Sequence, residues 1–120
     1  MPVDVWQYRE SMRFAAMNID LSGFEVVSHD GTSIGTVDKA SNDVRVNYLV
    51  VDTGEWLSGR QVVIPAYSVE RVDTDTRTVV VDRSRDDLRN APESTPKTLR
   101  GARFEDALTG YYHGIYDTGL

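Results

Sequence analysis

Two residues in this 120-residue chain, His29 and His113, have side chains that exchange protons near neutral pH. His29 stands beside Asp30 in a stretch that reads as a tight turn. Sequence adjacency of an Asp and a His says little, because catalytic groups converge in space rather than along the chain. His113 lies in a tyrosine-rich stretch and reads as a surface or contact residue, so no catalytic residue is assigned. Cysteine is absent, which excludes disulfides, thiolate catalysis and zinc–sulfur sites. Asp73-Thr-Asp75 resembles the start of a calcium loop, but Arg77 is at position five, Thr78 at position six and Ser84 at position twelve. Such a loop needs a turn glycine at six and a bidentate glutamate at twelve, so Asp73-Thr-Asp-Thr76 reads as a β-turn. No metal site and no cofactor are expected, and the chain lacks a Gly-x-Gly-x-x-Gly or Walker pattern for nucleotide binding.

The remaining chemistry is that of contact. Trp56, between Glu55 and Ser58-Gly59, reads as a loop tryptophan that either caps the core or anchors a partner. Trp6 near one end, and Phe104, Tyr111, Tyr112 and Tyr116 near the other, complete the candidate partner contacts. A group of aromatic anchors in one short segment is costly to leave in water. That arm is expected to fold back on its own domain, pack on a second subunit, or receive another protein.

These residues need a scaffold, and the turn residues outline one. Phe24 to Val27 runs into Ser28-His-Asp-Gly31, and Asp-Gly is a strong hairpin signal. Ile34 to Val37 follows, then a polar loop from Lys39 to Asp43. The run Val44 to Val51 begins half-polar and turns apolar on both faces at Leu49, Val50 and Val51. Gln61 to Ile64 stops at Pro65, which belongs at a sheet edge or bulge because it cannot donate to a ladder. Ser68 to Val72 and Thr78 to Val81 flank a second hairpin turn. Gly31 supplies the positive φ of a tight turn. Gly35 inside a β-run requires a bulge or a close backbone approach.

Ser84-Arg-Asp-Asp87 starts a short helix, with a hydroxyl before the first turn and acids within it. Asn90-Ala-Pro92 stops that helix, and a polar, proline-spaced linker follows to Thr98. The spacing predicts an N-terminal arm over residues 1–18 with a ragged helical stripe, a domain over 19–92, and a linker with an aromatic C-terminal arm over 93–120. In that last arm Gly110 and Gly114 break the helical spacing.

The order Gly23-Phe-Glu-Val-Val, Asp30-Gly-Thr-Ser-Ile-Gly35-Thr-Val-Asp38, Tyr48-Leu-Val-Val-Asp52, Trp56-Leu-Ser-Gly-Arg-Gln-Val-Val-Ile-Pro65 and Leu88-Arg-Asn-Ala-Pro92 resembles the PRC-barrel family. The resemblance implies an all-β fold, a small barrel of five to six antiparallel strands with a short C-terminal helix and two flanking arms. Gly23, Gly31, Gly35, Pro65 and Pro92 are read as structural residues independently of the resemblance. The family's best-known settings are the reaction-centre H subunit and ribosome-maturation proteins. Both bind macromolecules, and neither has a catalytic motif to carry over.

Composition narrows the partners. A net charge of −6 with two lysines, Lys39 and Lys97, disfavours direct nucleic-acid binding, which relies on Lys and Arg neutralising phosphates. The Arg83, Arg85 and Arg89 cluster is interleaved with Asp82, Asp86 and Asp87 and reads as a self-paired surface. The start, Met1 to Trp6, has neither the basic nor the apolar region of a signal peptide, and no window approaches the ~18 apolar residues of a membrane span. The expectation is a cytoplasmic, non-catalytic protein-interaction module that forms homodimers or higher oligomers through its arms. The alternatives are a ribosome- or RNA-processing-associated factor acting through protein contacts, and a small-ligand or cation-binding domain using Asp73, Asp75 and Asp82.

Overall fold

The Asp30-Gly31 turn reverses the chain between β1 (Glu25–Ser28) and β2 (Ser33–Ala40) in a computed structural model. That structure describes residues 5–9, 20–40, 47–91 and 102–117, with side chains of 107–115 in the last stretch. Gly31 has φ +89, the left-handed conformation that a side chain would disfavour. β2 pairs antiparallel with β3 (Tyr48–Thr53), and β3 with β4 (Gln61–Pro65). The Asp73–Thr76 turn joins β5 (Val69–Asp73) to β6 (Thr78–Val81) as a second antiparallel hairpin. Residues 41–46, which hold the first part of the expected Val44–Val51 run, lie outside the described residues. From Leu49 to Val51 the strand is buried on both faces, as its continuous apolar run requires.

One expectation is corrected. The six strands form a single sheet in the order β4-β3-β2-β1-β6-β5, and β1 pairs with β6 in parallel. The sheet is therefore mixed, and among the described residues no ladder closes it between β4 and β5. The cause is the corner at Pro65. Five reversing turns would leave every neighbouring pair antiparallel, but β4 passes through the 3-10 turn Ala66–Ser68 into β5 without reversing. β5 and β6 therefore enter with opposite polarity to that of a meander. Pro65 ends β4 on a terminal strand of the sheet, where its missing N–H breaks no ladder.

Bulges bend the sheet. The register slips opposite Val26/Val27, between Val37 and Lys39, and between Val69 and Arg71, and each extra residue increases the local twist. Gly35 lies where β3 crosses closest. A Cβ there would sit 2.0 Å from the Asp52 carbonyl oxygen, so only glycine fits.

The core of the sheet includes Val26, Ile34, Val37, Leu49, Val51, Ile64, Val79 and Val81. Among the described residues two α-helices pack on it. In α1 (Arg85–Asn90) the Ser84 hydroxyl accepts the Asp87 amide while the Asp87 carboxylate accepts the Ser84 amide, a complete capping box. α2 (Ala102–Asp117) is one continuous helix, although Gly110 and Gly114 were expected to break it. Each glycine costs about 1 kcal/mol relative to alanine. Burial of Leu108 and Tyr112, with Tyr111 and Ile115 packed beside them, outweighs that penalty.

The N-terminal segment fits beside the corner. The Val5 carbonyl accepts the Tyr67 amide, the Trp6 carbonyl accepts the Asn47 amide, and both side chains are buried in the same core as α2. Residues 10–19, on which most of the ragged stripe falls, lie outside the described residues. Among the described residues no helix is long and apolar enough to cross a membrane.

Candidate functional site

The candidate contacts separate into two groups. Trp6 is 5% exposed, its indole N–H donates to the Thr109 hydroxyl at 2.6 Å, and its ring meets Tyr48 edge-on. Tyr112, on the core-facing side of α2, is fully buried, and its hydroxyl donates to the Val63 carbonyl on the terminal strand β4. Tyr111 is half-buried. Its hydroxyl donates to the Asp87 carbonyl of α1 at 2.6 Å, and desolvation pushes its pKa up. The side chains of Phe104 and Tyr116, and Pro92 entire, lie outside the described residues. The aromatic arm thus folds back on its own chain, and burial takes Trp6 and Tyr112 off the surface.

Trp56 is placed differently. It lies in the 3-10 turn Glu55–Leu57 between β3 and β4 and is half-exposed. Its indole N–H donates to the Ile34 carbonyl at 2.9 Å. The Arg85 guanidinium sits 5.0 Å from the ring centre, and that of Arg89 5.7 Å. Arg85 is fixed in turn by donating Nε–H to the Ser33 carbonyl at 2.8 Å, and Arg89 by Asp86 at 2.9 Å. The α1 helix that the Ser84 cap starts therefore holds the indole in place.

Beside Trp56 lies an open groove of about 700 Å³. Trp56, Arg85 and the Gly54–Glu55 backbone form one wall, and Glu25, Thr36 and Asp52 are among the exposed residues of its floor. Register builds that floor. Glu25 is opposite Thr36, Thr36 opposite Asp52, and Asp52 opposite Gln61. On the other side Glu25 is opposite Thr78, and Thr78 opposite Asp73. One polar row thus crosses all six strands. Sequence reading singled out Trp56, but not this row, because its members come together only through pairing between distant strands.

Two of the three acidic residues proposed for a cation, Asp82 and Asp73, are otherwise engaged. Asp82 pairs with Arg9 and Arg83. Asp73 accepts the Asp75 and Thr76 amides, which holds its carboxyl below the usual range. Among the described residues no three His, Asp or Glu side chains are grouped to hold a metal. His29 projects into solvent with Nδ1 2.8 Å from the Glu70 carboxylate, and that hydrogen bond raises its pKa. The Ser28 hydroxyl is bonded to Asp30, which lowers the Asp30 carboxyl to about 2.

A family model described as PRC-barrel domain matches residues 19–88, more than half of the chain. Among solved structures, the chain is similar to a putative 16S ribosomal RNA processing protein, RimM, from Pseudomonas aeruginosa. The two are 22% identical with a TM-score of 0.47, over 55% of this chain and 42% of that one. The chain thus spans less than half of that protein's length. No curated protein sequence gives a significant match.

Proposed function

This chain belongs to the PRC-barrel domain family, and we propose that it is a non-catalytic member that docks another protein in the groove beside Trp56. The observation that carries this reading is the state of the Trp56 indole. It is held by a hydrogen bond and two guanidinium contacts, yet it stays half-exposed at the wall of a groove. A fixed, half-exposed aromatic loses little conformational freedom on contact and offers large area, which is why tryptophan dominates binding hot spots.

No observation among the described residues supports self-association through the arms. The apolar residues that would drive it, Val5, Trp6, Leu108 and Tyr112, are satisfied within one chain. A ribosome-associated role draws only on the family, and no feature of the groove favours it over another protein partner. Of the carboxylates of the cation-binding alternative, Asp82 is paired with Arg9 and Asp73 accepts turn amides.

The test is a photo-crosslinking residue placed at Thr36 on the groove floor, with a second version at Ala107 on the exposed side of α2, in the full chain inside its own cells. A discrete adduct with another protein from position 36 and none from position 107 is expected. Adducts from position 107 alone would move the docking site to α2.

A further inference from the structure

Building on the docking reading above, we infer that the groove receives a lysine- or arginine-bearing segment of another protein, held by the carboxylates of Glu25, Asp52 and Glu55. The row Gln61–Asp52–Thr36–Glu25–Thr78–Asp73, whose Asp52, Thr36 and Glu25 line the groove, takes one residue from every strand of the sheet and contains no cation. Like charges directly opposite one another destabilise a sheet, and here a threonine separates each pair of acids. The arrangement keeps the negative charge spread along the floor without self-neutralisation. Glu25 and Glu55 are exposed and have no charged partner among the described residues, and Asp52 accepts only the Gln61 amide at 2.8 Å. The groove's one guanidinium, Arg85, is turned onto Trp56 and bonded to the Ser33 carbonyl.

The geometry selects the class of cation. Adjacent strands are about 4.8 Å apart, so Glu25 and Asp52, two strands apart, are separated by roughly 10 Å. A divalent metal needs several oxygen ligands within about 2.6 Å, and among the described residues no three His, Asp or Glu side chains are grouped to supply them. Two long, flexible ammonium or guanidinium side chains can each reach one carboxylate, with their alkyl stems against the exposed indole. A nucleic-acid strand would bring phosphates onto the same carboxylates and is repelled. Exposed ion pairs are individually weak and screened by salt. The expected affinity is therefore modest, fast to exchange and lost at high ionic strength.

The experiment titrates the full chain with a fluorescein-labelled peptide of alternating lysine and glycine, reads anisotropy, and repeats the titration with a glutamine-for-lysine peptide and with a labelled single-stranded RNA. Binding of the lysine peptide alone is expected. Glu25→Gln with Asp52→Asn should weaken it at least about tenfold, the scale of losing two charge pairs. Asp30→Asn with Glu70→Gln removes the same charge from residues that do not line the groove, and should change the affinity less than about twofold. Equal weakening by both double variants would show general attraction to an acidic chain and overturn the inference, as would no binding, or binding of the RNA instead. If the lysine peptide fails while the adduct from position 36 persists, the groove still docks a protein and only its cationic nature is wrong. If both fail, the docking reading falls as well. Thermal unfolding of each variant separates loss of binding from loss of fold.

Discussion

The molecule treats its two tryptophans in opposite ways, though both were candidate contacts by sequence. Trp6, from the N-terminal segment, is sealed between β3 and α2, with Thr109 taking its N–H. Trp56, from the loop after β3, keeps part of its ring in solvent while Ile34, Arg85 and Arg89 hold it still. The difference teaches that an aromatic outside the strands is not by itself a docking residue. What matters is whether the chain has its own apolar surface to cover it. The core covers nearly all of Trp6, whereas Trp56 packs against it with only part of its ring and leaves the rest at the wall of the groove.

The largest effects should fall on the sealed side. Trp6→Ala and Tyr112→Ala each leave a cavity in the core and are expected to cost about 3–5 kcal/mol, read as a lower denaturation midpoint at unchanged slope. Trp56→Ala should cost about 1–2 kcal/mol, because its ring is only half-buried. Equal losses at positions 6 and 56 would erase the distinction between the two sides.

Gly35→Ala tests the groove side from beneath. Its methyl would meet the Asp52 carbonyl at 2.0 Å, so β2 and β3 must part. A loss of about 3 kcal/mol is expected, together with a changed fluorescence of Trp56, whose N–H is tied to Ile34 one residue away. A fully stable variant would mean that β3 does not need this crossing.

Gly110→Ala acts on the sealed side with the opposite sign. The glycine is exposed in the middle of α2, and a Cβ there meets nothing within 4 Å. Alanine should stabilise the protein by about 0.5–1 kcal/mol. A loss instead would show that α2 is not a single helix in solution.

The smallest effect is electrostatic. The Glu70 carboxylate raises the folded-state pKa of His29 above its ordinary 6.5. A raised pKa means the pair contributes stability below the unfolded value and loses it as pH rises through the folded one. Proton NMR of the ring should give a midpoint above 6.5 that Glu70→Gln returns toward it. A midpoint indifferent to Glu70 would remove the contact between the first turn and β5.

Much of the fold was legible in the sequence because its signals are local. Asp30-Gly31 and Asp73–Thr76 announce their hairpins, Ser84 and Asp87 announce α1, and the apolar run at Leu49–Val51 announces a strand buried on both faces. The polarity of β1 against β6 was not legible. It depends on whether the corner after Pro65 reverses the chain, and a proline there is compatible with either course. The continuity of α2 through two glycines was hidden for a similar reason, since burial of Leu108 and Tyr112 decides it. Of the candidate site, Trp56 was visible as a loop tryptophan beside a glycine. Glu25, Thr36 and Asp52 were not, because residues so far apart in sequence become one floor only through strand register.

The central claim is that the outward face beside Trp56 meets the partner and that the Trp6 and Tyr112 side is internal packing. It is tested most directly by following the backbone amide NMR spectrum of the full chain as the lysine–glycine peptide is added. The account predicts shifts confined to Gly35, Thr36, Asp52 and the Gly54–Trp56 loop, with the amides of Trp6 and of α2 from Leu108 to Tyr112 unmoved. Shifts concentrated on Trp6 and α2, with the groove silent, would contradict it.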